Sequence, residues 1–298
     1  MICSEIDRSR CPREERRSMP IHRLCHLWVL CVLSLLHVSL AQEQQDPTTL
    51  NGGSILAMAG KNCVALAVDQ RFGSGPALVN LQPRPVLVIR GLQQPSHDED
   101  RNTLPAPPSL VAFTGLQGDV QTLQEELQVQ VATKYARGLG MAARTRRPSS
   151  VTSTTAQSRR PWPRSVLAPR SVASVMSHIL YSRKQSPYYV EPIVVGLQRL
   201  DTNDKDEDTY IPYLCSMDVI GAQSVSARVC CSGAATQSLY GMAEALWEPD
   251  LEAEDLVRLC GQAFLAALER DCLSGYGAVI YLLTSDGVTQ YELASRND

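Results

Sequence analysis

Two short apolar runs joined by a turn signal open the main part of the chain. Residues 54–59 are largely apolar, Gly60, Lys61 and Asn62 favour a turn, and residues 63–68 form an unbroken apolar run that ends at Asp69. Hairpins often close with a short loop that contains glycine. The pattern therefore predicts a β-hairpin whose second strand is buried on both faces.

Further strands are predicted where short apolar runs lie between turn residues. These runs are residues 86–90, 109–113, 212–218, 226–231, 278–284 and 288–293. The last two flank Ser285, Asp286 and Gly287, so they predict a second hairpin. The stretch between Asp69 and residue 86 is polar and rich in glycine, and it predicts only a connecting link.

Helices are predicted where apolar residues recur at intervals of three and four. One spans 118 to about 137, one is centred near Met176, and two more span 238–247 and 253–271. The apolar stripes of the first, second and fourth helices are Val120, Leu123, Leu127 and Val131; Val172, Val175, Met176, Ile179 and Leu180; and Leu256, Leu259, Ala263, Ala267 and Arg270. The order of strands and helices predicts an α+β fold of packed layers.

Composition and charge narrow the class of protein. The chain has 298 residues, of which 44% are hydrophobic and 20% charged, and its formal net charge is -3. These proportions are typical of a globular protein, and the small negative charge gives no general affinity for nucleic acid or for an anionic membrane. We therefore expect neither nucleic acid nor a membrane as a partner.

Cysteine usage indicates a reducing compartment. Six of the ten cysteines follow residue 50, and none of the six forms a Cys-x-x-Cys pair. They are Cys63, Cys215, Cys230, Cys231, Cys260 and Cys272. Most lie in apolar runs, where cysteine packs as a small hydrophobic residue. We expect free thiols rather than disulfides or zinc ligands, and neither a metal nor a cofactor.

Residues 1–50 resemble a secretory leader, in conflict with the rest of the chain. Arginines precede an apolar stretch from Leu24 to Ala41 that ends in small residues, as signal peptides do. The stretch would also make a marginal membrane anchor. Because no Asn-x-Ser/Thr site is present, we favour an apolar propeptide or a wrongly joined leader over a true signal. Residues 43–50 would then be a flexible lead into a domain spanning 51–298.

Two stretches within this domain have the composition of irregular insertions. Residues 93–108 combine acidic residues with several prolines, and residues 138–169 are rich in arginine, serine, threonine and proline. Neither stretch shows apolar periodicity, so both are predicted to be surface insertions. His97 lies among acidic residues, and a solvated loop explains it better than a metal site. Trp162 among arginines would also suit RNA or an acidic protein, although a disordered insertion is favoured.

Several motifs resemble, in the same order, those of the proteasome β-type subunit family. They are Asn-Gly-Gly at 51–53, Asp-Gln-Arg-Phe-Gly at 69–73, Ser-Pro-Tyr-Tyr-Val at 186–190, Cys-Ser-Met-Asp at 215–218 and Arg-Asp-Cys-Leu-Ser-Gly at 270–275. The resemblance covers residues 51–298 apart from the two insertions. It implies a four-layer αββα sandwich, in which two antiparallel sheets pack together with helices outside. It also implies a hetero-oligomer with other β subunits and α-ring subunits, in the cytoplasm and nucleus.

One position decides what this resemblance implies about activity. Active members carry an N-terminal threonine whose hydroxyl attacks the peptide carbonyl while its own α-amine takes the proton. At the family's spacing the threonine position falls on Gly53, and the position of an assisting lysine falls on Pro85. Glycine has no nucleophile, proline has no charge, and the adjacent Arg84 stays protonated. The resemblance therefore implies a non-catalytic subunit.

The other positions of the family's active site are present in this chain. Asp69 matches the aspartate that closes the second strand, and Gly115 matches the glycine whose N–H faces the oxyanion of the substrate. Ser232, Asp271 and Ser274 match residues that support the threonine. Without a nucleophile there is no acyl intermediate to stabilise. We therefore expect these residues to hold turns and strand ends by hydrogen bonds.

Two other functions stay open at this point. Thr48 and Thr49 resemble the Thr-Thr-x-Leu opening of active members, which would make the chain an active threonine endopeptidase. Using this opening would insert about five residues into the first strand, and a register shift by an odd number turns buried side chains outward. The second alternative is a secreted or membrane-anchored protein of the same fold, starting at Gln42. We favour a structural subunit of the ubiquitin-dependent degradation machinery.

Overall fold

The computed structural model describes residues 46–81, 85–90, 107–145, 167–199 and 210–295, with the backbone alone for 135–145. These ranges contain twelve strands and four helices. The strands are β1 (Ser54–Ala59), β2 (Val64–Asp69), β3 (Arg71–Ser74), β4 (Ala77–Leu81), β5 (Val86–Ile89), β6 (Ser109–Gly115), β7 (Val190–Arg199), β8 (Tyr210–Met217), β9 (Gln223–Ser226), β10 (Val229–Gly233), β11 (Ala278–Thr284) and β12 (Gly287–Leu293). The helices are α1 (Gln117–Thr145), α2 (Pro169–Ser182), α3 (Thr236–Leu246) and α4 (Ala253–Leu268).

Ten of the strands form two five-stranded sheets. The first sheet has the order β10-β1-β2-β11-β12, and the second has the order β5-β6-β7-β8-β9. Every neighbouring pair in both sheets is antiparallel. The two hairpins predicted from the sequence, β1–β2 and β11–β12, are therefore confirmed. Strands β3 and β4 pair only with each other.

Three hydrophobic clusters place the sheets and helices in four layers. Between the sheets, Ile55 and Leu66 of the first sheet join Leu110 and Ile193 of the second. Along β1 the next side chain, Leu56, faces the opposite way and packs with α3 and α4. The third cluster joins α1 and α2 to the outer face of the second sheet. The predicted α+β fold and its αββα layering are confirmed.

The helical stripes are confirmed on α1 and α2 and need correction on α4. All nine predicted stripe residues of α1 and α2 are buried. On α4, Leu259 is only partly buried and Arg270 is exposed beyond the helix end. Cys260 and Phe264 lie in the core instead. Leu256, Ala263 and Ala267 are buried as predicted, and the helix ends at Leu268, before Arg270.

Helix α1 is longer than the sequence predicted. It was expected to end near residue 137, with an irregular insertion beginning at 138, but it runs to Thr145. Gly138 and Gly140 lie within the helix, because each glycine costs a helix only about 1 kcal/mol. Met141, Ala142 and Ala143 are strong helix formers that follow them. The prediction of an insertion was therefore wrong for residues 138–145.

Other predictions fall outside the described residues. These are the leader up to residue 45, most of the insertion at 93–108, and the part of the second insertion from 146 to 166. Residues Asp46–Asp298 form one compact unit. Within the described ranges, no helix has both the length and the apolar character needed to cross a membrane.

The sequence analysis missed three short strands and the ten-residue strand β7. The link after Asp69, which was expected to lack regular structure, is the hairpin β3–β4. Every residue of β4 is exposed, so its sequence has no alternation of buried and exposed positions to reveal it. The third is β9, which ends at Ser226, the first residue of the run predicted as a strand at 226–231. The strand in that run is β10, which begins only at Val229.

Candidate functional site

Four of the predicted site positions surround one cavity next to the start of β1. Gly53 precedes β1, Asp69 ends β2, Pro85 precedes β5, and Gly115 ends β6. The cavity has a volume of about 30 Å³. A cavity of this size holds one or two water molecules. The candidate site is therefore nearly filled by the protein itself.

Two backbone hydrogen bonds hold Gly53 in place. Its N–H donates to the carbonyl oxygen of Leu273 at 3.1 Å, and its carbonyl oxygen accepts from the N–H of Ala234 at 3.1 Å. Its φ of +84° lies in the left-handed region that favours glycine. A Cβ at this position would meet only the carbonyl oxygen of Arg71, at 3.8 Å. Space is therefore available for a side chain, but the backbone conformation disfavours one.

Asp69 is a buried carboxylate that closes β2. One carboxylate oxygen accepts from the N–H of Arg71 at 2.6 Å, and the other accepts from the N–H of Gly275 at 3.1 Å. Burial raises the pKa of the Asp69 carboxyl to about 7; the two amide hydrogen bonds and the Arg71 guanidinium lower it, and Asp271 raises it. The carboxylate therefore joins β2 to the loop after α4, as a strand-end cap.

Arg71 is a buried cation that the sequence analysis did not single out. Its Nη1 donates to the carbonyl oxygen of Leu273 at 3.0 Å, and its Nη2 donates to the carbonyl oxygen of Gly75 at 2.9 Å. Only 3% of its surface is exposed. The guanidinium therefore ties β3 to the loop after α4. Arg71 lay within one of the quoted motifs, but nothing in that motif indicated burial.

A chain of hydroxyl and carboxyl groups connects Ser54 to the loop after α4. Ser274 Oγ donates to a carboxylate oxygen of Asp271 at 2.7 Å, and Ser54 Oγ lies 2.9 Å from Ser274 Oγ. Because the Ser274 proton is used, Ser54 must donate to Ser274. Ser54 Oγ in turn accepts from the N–H of Ala235 at 2.9 Å. Ser54, which the sequence analysis missed, is thus the centre of this network.

Ser232 belongs to a different set of contacts. Its Oγ lies 2.6 Å from Thr114 Oγ1 and 3.2 Å from both the carbonyl oxygen and a carboxylate oxygen of Glu191. These bonds join β10 of the first sheet to β6 and β7 of the second. The structure therefore brings Asp271 and Ser274 together, but it gives Ser232 other hydrogen-bond partners.

Gly115 and Pro85 pack against neighbouring backbone. The φ of Gly115 is +120°, and a Cβ there would overlap the carbonyl oxygen of Tyr189. Only glycine fits both the conformation and the close approach at this strand-to-helix turn. The carbonyl oxygen of Pro85 accepts from the N–H of Phe113 at 2.8 Å. Pro85 therefore lies beside the cavity and contributes no charged group to it.

The residues just before β1 are docked onto the domain, and we call residues 46–52 the docked segment. The N–H of Gly73 donates to the carbonyl oxygen of Asn51 at 3.0 Å, and the N–H of Gly75 donates to that of Leu50 at 2.8 Å. The Asn51 side chain adds two further bonds, described below. Residues 46–50 were expected to be a flexible lead, and that expectation was wrong.

Asn51 links the docked segment to two other elements. Its Nδ2 donates to the carbonyl oxygen of Gly73 at 2.9 Å, and its Oδ1 accepts from the N–H of Gln117 at 2.9 Å. Gln117 is the first residue of α1, where backbone N–H groups have no partner inside the helix. Asn51 therefore supplies the cap of α1 from a distant part of the chain.

Thr48 and Thr49 lie in the turn of the docked segment and do not line the cavity. The Thr49 hydroxyl donates to the carbonyl oxygen of Asp46 at 3.1 Å. Neither threonine belongs to β1, so the strand register that they would require is not formed. This arrangement does not favour a threonine nucleophile at either position.

Within the described ranges, no group of three or more His, Cys, Asp or Glu side chains is placed to hold a metal ion. The six described cysteines are free, and all except Cys272 are buried. Burial raises the pKa of the Cys260 thiol to about 12 and that of the Cys63 thiol to about 11. These thiols are therefore protonated and unreactive at neutral pH.

Comparison with known proteins gives a consistent result. A sequence profile of the family described as "Proteasome subunit" matches residues 138–283. Proteasome subunit beta type-3 of Drosophila melanogaster is 30% identical over 248 residues, which cover 83% of this chain and 97% of the relative. Beta type-3-A of Arabidopsis thaliana is 32% identical, with the same coverage. Beta type-3 of Saccharomyces cerevisiae is 31% identical and covers 85% of this chain and 99% of the relative.

Proposed function

The chain belongs to the proteasome subunit family, among the beta type-3 subunits, and from this premise we propose that it is a non-catalytic structural β subunit of the 20S core particle. Its part in protein degradation would be to complete the β ring that encloses the chamber in which other subunits cut peptides. Such a ring requires interfaces that join one subunit to the next and close by rotation.

The main support for the proposal is the backbone at Gly53. Threonine-type hydrolysis needs a hydroxyl to attack and a free α-amine to take its proton. We assign Gly53 to the nucleophile position, where no hydroxyl exists. Its nitrogen belongs to a peptide bond with Gly52 and donates to the carbonyl oxygen of Leu273 at 3.1 Å. Both groups required by the chemistry are therefore missing while the docked segment is in place.

The size of the cavity supports the same conclusion. About 30 Å³ is enough for one or two waters and not for a peptide side chain. Asn51 and Gly52 of the docked segment line this cavity together with Arg71, whose guanidinium packs against Gly52. Asn51, which lies beside the cavity, is held by three hydrogen bonds to Gly73 and Gln117. Two of them come from its side chain and one from its backbone. We expect a peptide carbonyl to displace Asn51 before it reaches Gly53.

We propose structural roles for the remaining site positions. Asp69 caps β2, while Asp271 and Ser274 hold the loop after α4 against Ser54. Ser232 joins the two sheets through Thr114 and Glu191, and Gly115 permits the turn into α1. Pro85 replaces a group whose charge would be needed only for catalysis.

The surface offers one feature suited to a ring contact. Leu78, Val79 and Leu81 are 41%, 60% and 44% exposed on β4, which stands apart from both sheets. Several large apolar side chains on one short hairpin commonly mark a protein interface. We propose that β4 contacts a neighbouring β-type or α-type subunit. The site of action would be the cytoplasm and nucleus.

We further propose that residues 51–298 form the proteasome β-subunit domain and that residues 24–41 do not direct secretion. The six free cysteines of the body support this location, because an oxidising lumen would favour disulfides. The docked segment extends the packed part of the chain slightly upstream of this domain, to residue 46.

The test is to purify the untagged protein from its own cells, and to determine its N-terminal residue by mass spectrometry and its size under native conditions. We expect it to elute with other α- and β-type subunits, well above the 32.7 kDa of the free chain, and to retain Asn51. A secreted free chain that starts at Gln42 would refute the proposal, and so would a start at Thr48 or Thr49.

A variant tests the missing chemistry directly. In Gly53→Thr a hydroxyl is restored, but the nitrogen remains an amide and no lysine is present at position 85. We expect particles that contain this variant to show the same peptide hydrolysis as wild-type particles when the other active subunits are blocked. Hydrolysis that appears only in the variant would contradict the docked arrangement around Gly53.

A further inference from the structure

Asn51 and Gly52 are the only Asn-Gly pair in the chain. In such a pair the glycine nitrogen can attack the asparagine side-chain carbonyl, because glycine has no side chain to hinder the approach. A bond forms between Gly52 N and Asn51 Cγ, the Cγ–Nδ2 bond breaks, and ammonia leaves with the proton of the glycine nitrogen. Water then opens the cyclic imide to aspartate or isoaspartate at position 51. The net reaction is hydrolysis of the side-chain amide.

The three groups that take part in this reaction are all hydrogen-bonded in the fold. Asn51 Nδ2 donates to the carbonyl oxygen of Gly73 at 2.9 Å, and Oδ1 accepts from the N–H of Gln117 at 2.9 Å. The N–H of Gly52 donates to the carbonyl oxygen of Thr49 at 2.9 Å. Cyclisation requires the Asn51 side chain to rotate toward Gly52 N. It must therefore leave both Gly73 and Gln117.

The backbone around the pair is fixed as well. The carbonyl oxygens of Leu50 and Asn51 accept from Gly75 and Gly73. Gly52 is packed so closely that an added Cβ would overlap the carbonyl oxygen of Leu273 and lie 2.7 Å from Arg71 Nη1. The pair therefore cannot rearrange alone, and it becomes reactive only when the docked segment moves.

We propose that Asn51–Gly52 is a deamidation site that the fold keeps closed while the docked segment is in place, and that reacts when the segment leaves β3 and α1. The reaction replaces the Nδ2 donor by a carboxylate oxygen, which would face the carbonyl oxygen of Gly73. Isoaspartate also lengthens the backbone by one carbon, so the bonds to Gly73 and Gly75 lose their register. Deamidation therefore marks irreversibly those chains whose docked segment has opened.

The first measurement compares the folded full-length chain with the same chain unfolded in urea, at mildly alkaline pH. Deamidation at Asn51 is followed by mass spectrometry of the peptide that ends at Lys61. Each hydrogen bond changes an opening equilibrium by roughly two- to tenfold. We therefore expect the folded chain to react at least about tenfold more slowly than the unfolded chain. Equal rates in the two states would overturn the proposal.

A pair of variants at Gln117 tests the contact with α1. Gln117→Pro removes the N–H that Asn51 Oδ1 accepts, and proline is well tolerated at the first position of a helix. Gln117→Ala keeps this N–H and is the matched control. We expect deamidation in folded Gln117→Pro to be roughly two- to tenfold faster than in folded Gln117→Ala. Position 117 is remote in sequence from the reacting pair, so the two variants should react equally fast in urea.

The outcomes separate the proposal from a general loss of structure. If Gln117→Pro fails to fold, the comparison of folded and unfolded wild-type chains still decides. If the ratio of deamidation rates between the two variants is the same in urea as in buffer, the fold has no part in the effect, and the proposal is overturned. The measurement does not depend on ring assembly, so its failure would leave the proposed function standing.

Discussion

The close packing of Gly52 leads to a sharp prediction for three glycine-to-alanine variants. Gly52 and Gly53 have similar φ values, +68° and +84°, so alanine is strained by the backbone to a similar extent at both positions. The two differ in space: a Cβ at Gly53 meets nothing closer than 3.8 Å, whereas a Cβ at Gly52 overlaps the carbonyl oxygen of Leu273. Comparison of the two variants therefore isolates the steric effect.

The expected magnitudes follow from these contacts. At Gly53, left-handed strain costs about 1–2 kcal/mol and is partly offset by about 0.4–1 kcal/mol from a less flexible unfolded chain. Gly53→Ala should therefore lower the free energy of unfolding by about 1 kcal/mol. Gly52→Ala meets backbone atoms, which cannot move aside as a side chain can. It should also weaken the bonds that Leu273 accepts from Arg71 and Gly53, for a total loss of about 3–5 kcal/mol.

Gly241→Ala is the control in this series. Gly241 lies within α3, and a Cβ there would have no atom within 4 Å. Alanine in a helix interior is favoured over glycine, so this variant should gain about 0.5–1 kcal/mol. The assay is urea unfolding of the full-length chain, with the free energy taken from midpoints at constant m. The reasoning about the docked segment is refuted if Gly52→Ala costs no more than Gly53→Ala.

Three further predictions concern the site and the surface. Burial raises the pKa of Asp69 from 3.8 to about 7 in the folded chain, so the folded state binds this proton more tightly than the unfolded state. The free energy of unfolding should therefore fall by at most about 4 kcal/mol as pH rises from 4 to 7. Asp69→Asn should flatten this pH dependence in urea titrations at several pH values. Ser54→Ala and Ser274→Ala should each cost about 1–2 kcal/mol, and the double variant should cost less than their sum, because both remove one shared hydrogen bond. Val79→Asp on β4 should reduce incorporation into particles more than Val129→Asp on α1, a position of similar exposure, 60% against 63%; equal effects on co-purification would remove β4 as a contact.

The sequence predicted most of the elements whose residues are buried in a regular pattern, with β7 as the exception. β1 and β2 are apolar apart from Ser54 and Asp69, because both faces of the first sheet are covered, and the stripes of α1 and α2 were correct because each faces a sheet. β4 escaped prediction although it carries Leu78, Val79 and Leu81, because all of its residues are exposed and its apolar residues do not alternate regularly with polar ones. β9 escaped for a different reason: its residues are mostly polar and mainly exposed, so it leaves no apolar signal in the sequence.

The candidate site was only partly predictable, for a different reason. Gly53, Asp69, Asp271 and Ser274 were singled out by the motifs and spacing of the family. The structure places the first two beside the cavity and the last two in the loop after α4. Arg71 and Asn51 were not recognised as site residues, since their roles depend on partners far away in the sequence. Asn51 caps a helix that begins at Gln117, and Arg71 reaches Leu273. Such contacts arise only when the sheets and the loop after α4 have packed.

Retention of the supporting residues beside a glycine follows from the energetics of buried polar groups. On the proposed assignment of Gly53 to the nucleophile position, a glycine there leaves no backbone group without a partner, because its N–H and carbonyl oxygen bond to Leu273 and Ala234. Removing Ser274 would leave the Ser54 hydroxyl without an acceptor, and the loss of one buried partner costs about 1–3 kcal/mol. On this assignment a nucleophile can be replaced at little structural cost, whereas Asp271 and Ser274 are needed by the fold. Their presence therefore reflects the architecture, and we expect the activity to depend on Gly53 and the segment docked before it.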